Sequence, residues 1–384
     1  MTNYFFQTYP YGSDKLEFDV RLPIVLAGSN RSFDGDVVAQ WNFQFDPKIS
    51  RHSLRTDFFR DFYDHILEAP IDLLYDGIDE EYHPAVSIPL GLISFSLGQY
   101  LAVIEHENGH FACALESGAQ NVNLVYRFSG RKENEAIAGV SIPKEEKEKL
   151  TADRQLLIGG AGLSAVLESS RSRVEGALLN GNHMDIVDAM FLTSNFIGHI
   201  MGFDSDYAKN HMVLNPNGNP KDADSSSIMV VNVTRPINLF LSGYIFAIGP
   251  KVILPPIILD WSATFGPLGD QYTGRVYARL DEKHVIEPFF RFTHGDRPSG
   301  SVGFAWFMTG NTGDYKHKLY VEGGYQPHFG GPVVAGGTMF AFPLLGGIEL
   351  NLDIYAQSRG FFPDSSTFDP TINAALSLRI STYR

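Results

Sequence analysis

The chain has 384 residues, with 30 Lys+Arg against 44 Asp+Glu and a formal net charge of −14. That acidic balance, with no basic cluster, argues against nucleic acid or an anionic membrane surface as the main partner. Hydrophobic residues at 44% exclude a disordered chain, and only 19% charged residues beside 29 Phe, 17 Tyr and 37 Gly suit a β-rich protein whose surface does not all face water.

Near the start, Leu16, Phe18, Val20, Leu22 and Ile24 alternate with Glu17, Asp19 and Arg21. Ala39, Trp41, Phe43 and Phe45 alternate in the same way. Period two predicts strands with one apolar face. Ser53 then offers an N-cap for a helix carrying Leu54, Phe58, Phe62 and Ile66. Pro70, Gly77, Pro84 and Pro89 break the helical pattern beyond it. An uncharged apolar run from Ala85 to Ile104 leads into a helix through Leu115, which ends at Gly118 as a C′ residue.

Val122, Leu124, Tyr126 and Phe128 form one arm of an expected hairpin, with 136–142 as the other. Helices are expected over 151–175 and 185–201, and a solvated loop from Asn215 to Ser227. From about residue 237 the pattern becomes strand–turn–strand. Strands are expected at 275–280, 289–293, 302–308, 319–325 and 334–342. Two more show strict alternation, at Ile348, Leu350, Leu352, Ile354 and at Ile372, Ala374, Leu376, Leu378, Ile380. The expected fold is α+β: an antiparallel β-barrel of about 10–12 strands with an inserted helical unit. Residues 1–50 would give the first barrel strands, 51–235 the helical insert and 236–384 the remaining strands.

Alternation does not say which face meets water. The polar faces carry Asn, Ser, Gly and isolated charges rather than a Lys/Glu carpet. The strands have the length of about 9–11 residues that a tilted spanning strand needs. Both features favour an outer-membrane barrel with its apolar face on lipid. The usual final aromatic of such barrels is missing, since Tyr383 is penultimate and Arg384 last. Met1-Thr2-Asn3-Tyr4 has neither the basic nor the apolar region of a signal peptide. The localisation expected is a bacterial outer membrane, for a mature chain. The one cysteine, Cys113, excludes an internal disulfide and reads as a small core thiol.

His106-Glu107-Asn108-Gly109-His110 carries the chemistry. On a helix, residues i and i+4 lie on one face, so both imidazoles can reach one cation. Glu107 is rotated by about 100° from His106 and is free to take a proton from water beside the metal. Gly109 lowers helix propensity by about 1 kcal/mol and would let a backbone or substrate approach closely.

H-E-x-G-H within an apolar helix resembles the membrane-associated zinc metallopeptidases of the zincin group. The resemblance covers the motif helix and about the next hundred residues, not the strands. It implies a Zn2+-dependent peptidase acting on protein or peptide substrates, with His106 and His110 as ligands and Glu107 as base. It also implies a third ligand from a later helix. Glu168, a carboxylate on the small and apolar helix after Gly159-Gly160-Ala161-Gly162, is the expected one. Glu175, Asp204 and Asp206 are alternatives. Tyr207, His199 and His211 are weaker candidates for oxyanion stabilisation. Two other readings compete: an inner-membrane zinc peptidase using 85–104 as a helical span, and a non-enzymatic barrel with a structural or vestigial metal site.

Overall fold

The structure, a computed structural model, describes residues 19–21, 44–46, 77–126, 138–179, 181–201, 226–242, 251–294, 297–309, 316–344, 348–363, 368 and 370–380. Two short strands, β1 (Asp19–Arg21) and β2 (Gln44–Asp46), pair antiparallel with each other. They fall inside the two alternating N-terminal segments; the rest of those segments, the expected helix at 53–66 and most of the loop at 215–227 lie outside the described residues.

The motif helix α1 runs from His83 to Glu116. It passes through Pro84 and Pro89, where the sequence suggested a break. Pro84 lies in the first turn, where its missing N–H has no intrahelical acceptor to lose. Pro89 removes one bond from the next turn. The C-terminus ends as expected: Gly118 takes φ +91, and Ala119 N donates to Ala114 O at 3.0 Å. The hairpin follows as β3 (Asn123–Tyr126) and β4 (Ala138–Ser141), with Leu124 opposite Val140.

After the short α2 (Lys144–Lys149) comes α3 (Ala152–Leu179), then β5 (His183–Asp185) and α4 (Ile186–Met201). Two further helices follow: α5 (Ser226–Val233), at the end of the expected helical insert, and α6 (Pro236–Ser242), where strands were expected to begin. Pro236 opens α6, a position that suits its fixed φ and missing donor. After β6 (Lys251–Ile253), the chain builds β7 (Ile257–Gly266), β8 (Gly269–Arg279), β9 (His284–His294), β10 (Ser299–Thr309), β11 (Lys316–Gln326), β12 (Gly331–Pro343), β13 (Ile348–Gln357) and β14 (Thr371–Ile380). These last eight form one antiparallel sheet in sequence order. Among the described residues it is not closed: β7 and β14 are its ends. Among the described residues the expected closed barrel is therefore an open antiparallel sheet, with α5 and α6 packed beside β7.

The sheet is apolar on the outside, and its inner face mixes polar and apolar side chains. Ile257, Leu259, Phe290, Val302, Val321 and Val334 are exposed. The alternate positions hold buried Asp260, Thr273, Glu287, Arg291, Glu322 and Gln357. Along β9 every second residue from Val285 to Thr293 is buried. Inward Phe289, Phe307, Tyr277 and Tyr320 pack with Val174 and Leu178 of α3 in one core cluster.

The N-terminal turn of α3 is clasped to the strand turns at one rim. Asp153 accepts from Arg297 Nη1 at 2.7 Å and pairs with His328 Nε2 at 2.8 Å. Burial pushes the Asp153 carboxyl up, but the hydrogen bonds from His328 and Arg297 outweigh it and hold it below the ordinary aspartate range. A depressed carboxylate adds stability that is present above its unfolded value, about 3.9, and is lost as pH falls through the lower folded value. We expect Asp153→Asn to lower unfolding stability by about 1 kcal/mol at pH 7. The difference from wild type should vanish in acid, below that folded value. Equal stability of the two proteins at pH 7 would show that the clasp contributes nothing.

Candidate metal centre

α1 and α3 pack antiparallel at unusually close range, and glycine makes this possible on both sides. A methyl on Gly109 would lie 2.5 Å from Ala161 O, so the small residue of the motif is used to admit the backbone of α3. A methyl on Gly162 would lie 2.5 Å from His110 Nε2 and 2.8 Å from His106 Nε2. Both imidazole edges therefore pack directly against residue 162, where no side chain could be placed.

His106 and His110 are buried, and their Nε2 atoms are 3.0 Å apart with the rings edge to face. His110 Nδ1 lies 2.7 Å from Ile158 O. A carbonyl can only accept, so Nδ1 carries the proton and Nε2 of the neutral ring presents its lone pair toward His106. A backbone carbonyl holding the far nitrogen of a ligand histidine is the usual outer support of a metal site. Two nitrogen ligands of tetrahedral zinc, each at about 2.0–2.1 Å, stand about 3.3 Å apart. The separation of 3.0 Å between the two Nε2 atoms is near that spacing, and the Ile158 carbonyl fixes the His110 ring.

Glu107 points to the neighbouring hairpin, where its Oε2 accepts from Val140 N at 3.0 Å. It is set apart from the two rings, as its place on the helix requires. Glu168 is not brought to the histidines. It lies six residues beyond Gly162 on α3 and accepts from Arg171 Nη1 at 3.2 Å, with its side chain about one-third exposed. Glu175 belongs to a buried ion cluster: Arg171 Nε at 2.8 Å and Lys318 Nζ at 3.4 Å. His199 falls in the last turn of α4. Asp204, Asp206, Tyr207 and His211 lie outside the described residues. Among the described residues no group of three His, Cys, Asp or Glu side chains is placed to hold a metal. Cys113 is fully buried in an apolar cluster with Leu157, Ile158 and Ala161, as a core thiol.

Sequence reasoning missed several supports of the motif. The Ile158 carbonyl and the Val140 amide are backbone groups and leave no residue-type signal. Gly162 did leave one, in the run Gly159-Gly160-Ala161-Gly162. Beside the motif, Glu105 is buried 3.9 Å from Arg173, which also binds Asp188 and lies over the Phe191 ring at 4.1 Å. This ion cluster joins α1, α3 and α4 one residue before His106. Comparison of the chain with protein-family models, with curated proteins and with solved structures found no match.

Proposed function

We propose that this protein is a zinc-dependent peptidase carried by an outer-membrane β-sheet wall. The observation that carries the enzymatic part is the convergence of His106 Nε2 and His110 Nε2 at 3.0 Å over Gly162, with Ile158 O setting the tautomer. His106 and His110 would hold Zn2+, which when bound supplies Lewis acidity toward water and a substrate carbonyl. Glu107 is the base: its carboxylate takes a proton from the attacking water and delivers it to the departing amine. The Val140 amide steadies that carboxylate. The third ligand proposed is Glu168, which has to leave Arg171 to reach the cation; Glu175, Asp204 and Asp206 are the alternatives.

The membrane part is supported by the inverted sheet. Its outer apolar face is bounded by two aromatic groups. Tyr272 stacks on Phe292 at 5.3 Å near one rim. Near the other, His284 stacks on Trp306 at 5.8 Å, and His317 on Phe340 at 4.4 Å. From His284 to Phe292 is about 27 Å along β9, which a tilt of about 40° reduces to a depth of about 21 Å. Aromatic girdles flanking an apolar band of roughly that height mark lipid-facing barrels.

Metal analysis of the purified protein tests the reading. About one zinc per chain is expected in wild type, and none in His110→Ala. Equal zinc in both proteins overturns the site. Zinc content of Glu168→Ala, Asp204→Ala and Asp206→Ala identifies the third ligand.

A further inference from the structure

At the β7 edge the Ala263 backbone is paired by a side chain. Asn232 on α5 sets its amide against Ala263: Nδ2 donates to Ala263 O and Oδ1 accepts from Ala263 N, both at 2.8 Å. Arg235 holds Asp260 through Nε at 3.2 Å and Nη2 at 2.7 Å. Asn232, Arg235 and Asp260 are all buried. The Asn232 side chain thus satisfies the Ala263 edge groups that another strand would otherwise pair.

On the outward side the surface continues from strand to helix. Trp261 Nε1 donates to Thr234 Oγ1 at 3.3 Å, and Thr234 Oγ1 donates to Val230 O at 2.7 Å. Val230 and Leu239 are half exposed there, next to exposed Leu259 and Trp261 of β7. α5 and α6 also pack on α4, and α4 on α1. The α4-facing side of α1 carries Gly91 and Gly98; a methyl on Gly98 would lie 3.2 Å from Phe191 Cα. The outer side presents Ile88, Leu92, Ile93 and Leu97 in a stripe of helical period, each more than one-third exposed. Exposed Ser96 on that stripe donates to Leu92 O at 2.9 Å, which satisfies its hydroxyl within the helix.

We propose that α1, α5 and α6 complete the hydrocarbon-facing wall beyond β7, with bilayer acyl chains covering their apolar faces. The proposal rests on the membrane reading above. Hydrocarbon does not tolerate an open strand edge, and here α5 and α6 pack beside β7, with Asn232 pairing the Ala263 backbone. The uncharged run from Ala85 to Ile104 spans about 29 Å as helix, close to the bilayer core of about 30 Å. Close helix contacts at small residues suit packing in lipid.

Nitroxide labels at Leu92→Cys, Val230→Cys and, on the sheet, Val302→Cys test this in the full chain. The buried Cys113 is left in place. The proteins are reconstituted in phosphatidylcholine–phosphatidylglycerol vesicles, and collision with oxygen is compared with collision with a water-soluble nickel chelate. All three labels are expected to favour oxygen. A lipid-like response at Val302 with nickel access at Leu92 and Val230 overturns the helical wall and leaves the membrane sheet standing. Nickel access at all three overturns both. An immobile label at Leu92 shielded from both reagents shows a protein partner there instead, which also overturns the proposal. Quenching of Leu92→Trp by brominated lipid, measured against the wild-type chain with its native tryptophans, reads the same contact without a label, and no added quenching counts against it.

Discussion

Glu107→Gln is expected to leave bound zinc unchanged and to lower hydrolysis of an unstructured peptide by about 10²–10⁴-fold. Glu107 lies about 100° around the helix from His106, outside the pair of rings that converge on Gly162. Its Oε2 accepts from Val140 N, and a glutamine oxygen can accept the same bond. The substitution therefore keeps shape and hydrogen bonding while removing the proton acceptor. Undiminished cleavage with zinc retained removes Glu107 from the reaction. Loss of zinc together with activity would assign it a structural part in holding α1 against the hairpin.

Arg171→Ala is expected to destabilise the fold by about 3–5 kcal/mol, the usual penalty for stripping one partner from a buried ion cluster. Arg171 Nε reaches Glu175 at 2.8 Å and Glu287 at 3.0 Å, and its Nη1 reaches Glu168. Arg275 adds a contact to Glu287 at 3.3 Å, and Lys318 one to Glu175 at 3.4 Å. Arg171, Arg275 and Lys318 thus face Glu168, Glu175 and Glu287. Removing the arginine leaves Glu175 and Glu287 without the cation they share, at the place where α3 is tied to β9. Unfolding by urea in detergent micelles measures the loss. Arg171→Met combined with Glu287→Gln should recover part of it, because the uncompensated charge goes with its partner. A single Arg171→Ala as stable as wild type would mean that apolar packing of Val174 and Leu178 alone holds α3 in the sheet.

The same cluster explains why one expected ligand stands elsewhere. In the sequence, Glu168 stands out as a lone carboxylate on a small and apolar helix. Its partner Arg171 comes three residues later, one turn along the same helix, and that pairing is as legible in sequence as a metal role. Choosing between them needs the position of α3 against β9, which brings Glu287 to Arg171. The histidine pair is different. Spacing of four on a helix puts both rings on one face whatever the rest of the chain does, so their convergence is readable from residues 106–110.

Local rules decided most of the strands and helices in the same manner. Alternation at 348–354 and 372–380 found β13 and β14, and Gly118 found the end of α1. Pro84 and Pro89 misled, because a proline near a helix start is tolerated and its position relative to that start is not visible beforehand. α5 and α6 were missed because they are 8 and 7 residues long, too short for a periodic signal, and are held by contacts to β7.

The sequence by itself determined the period-two faces, the paired imidazoles and the uncharged stretch before them, since each depends on spacing within one element. Tertiary structure alone decided which sheet face is buried, what covers the β7 edge, and that Ile158 O and Gly162 shape the ground around the two rings. Those outcomes depend on distances between elements far apart in the chain, set by close backbone contact and by pairing of buried charges, which no local pattern encodes.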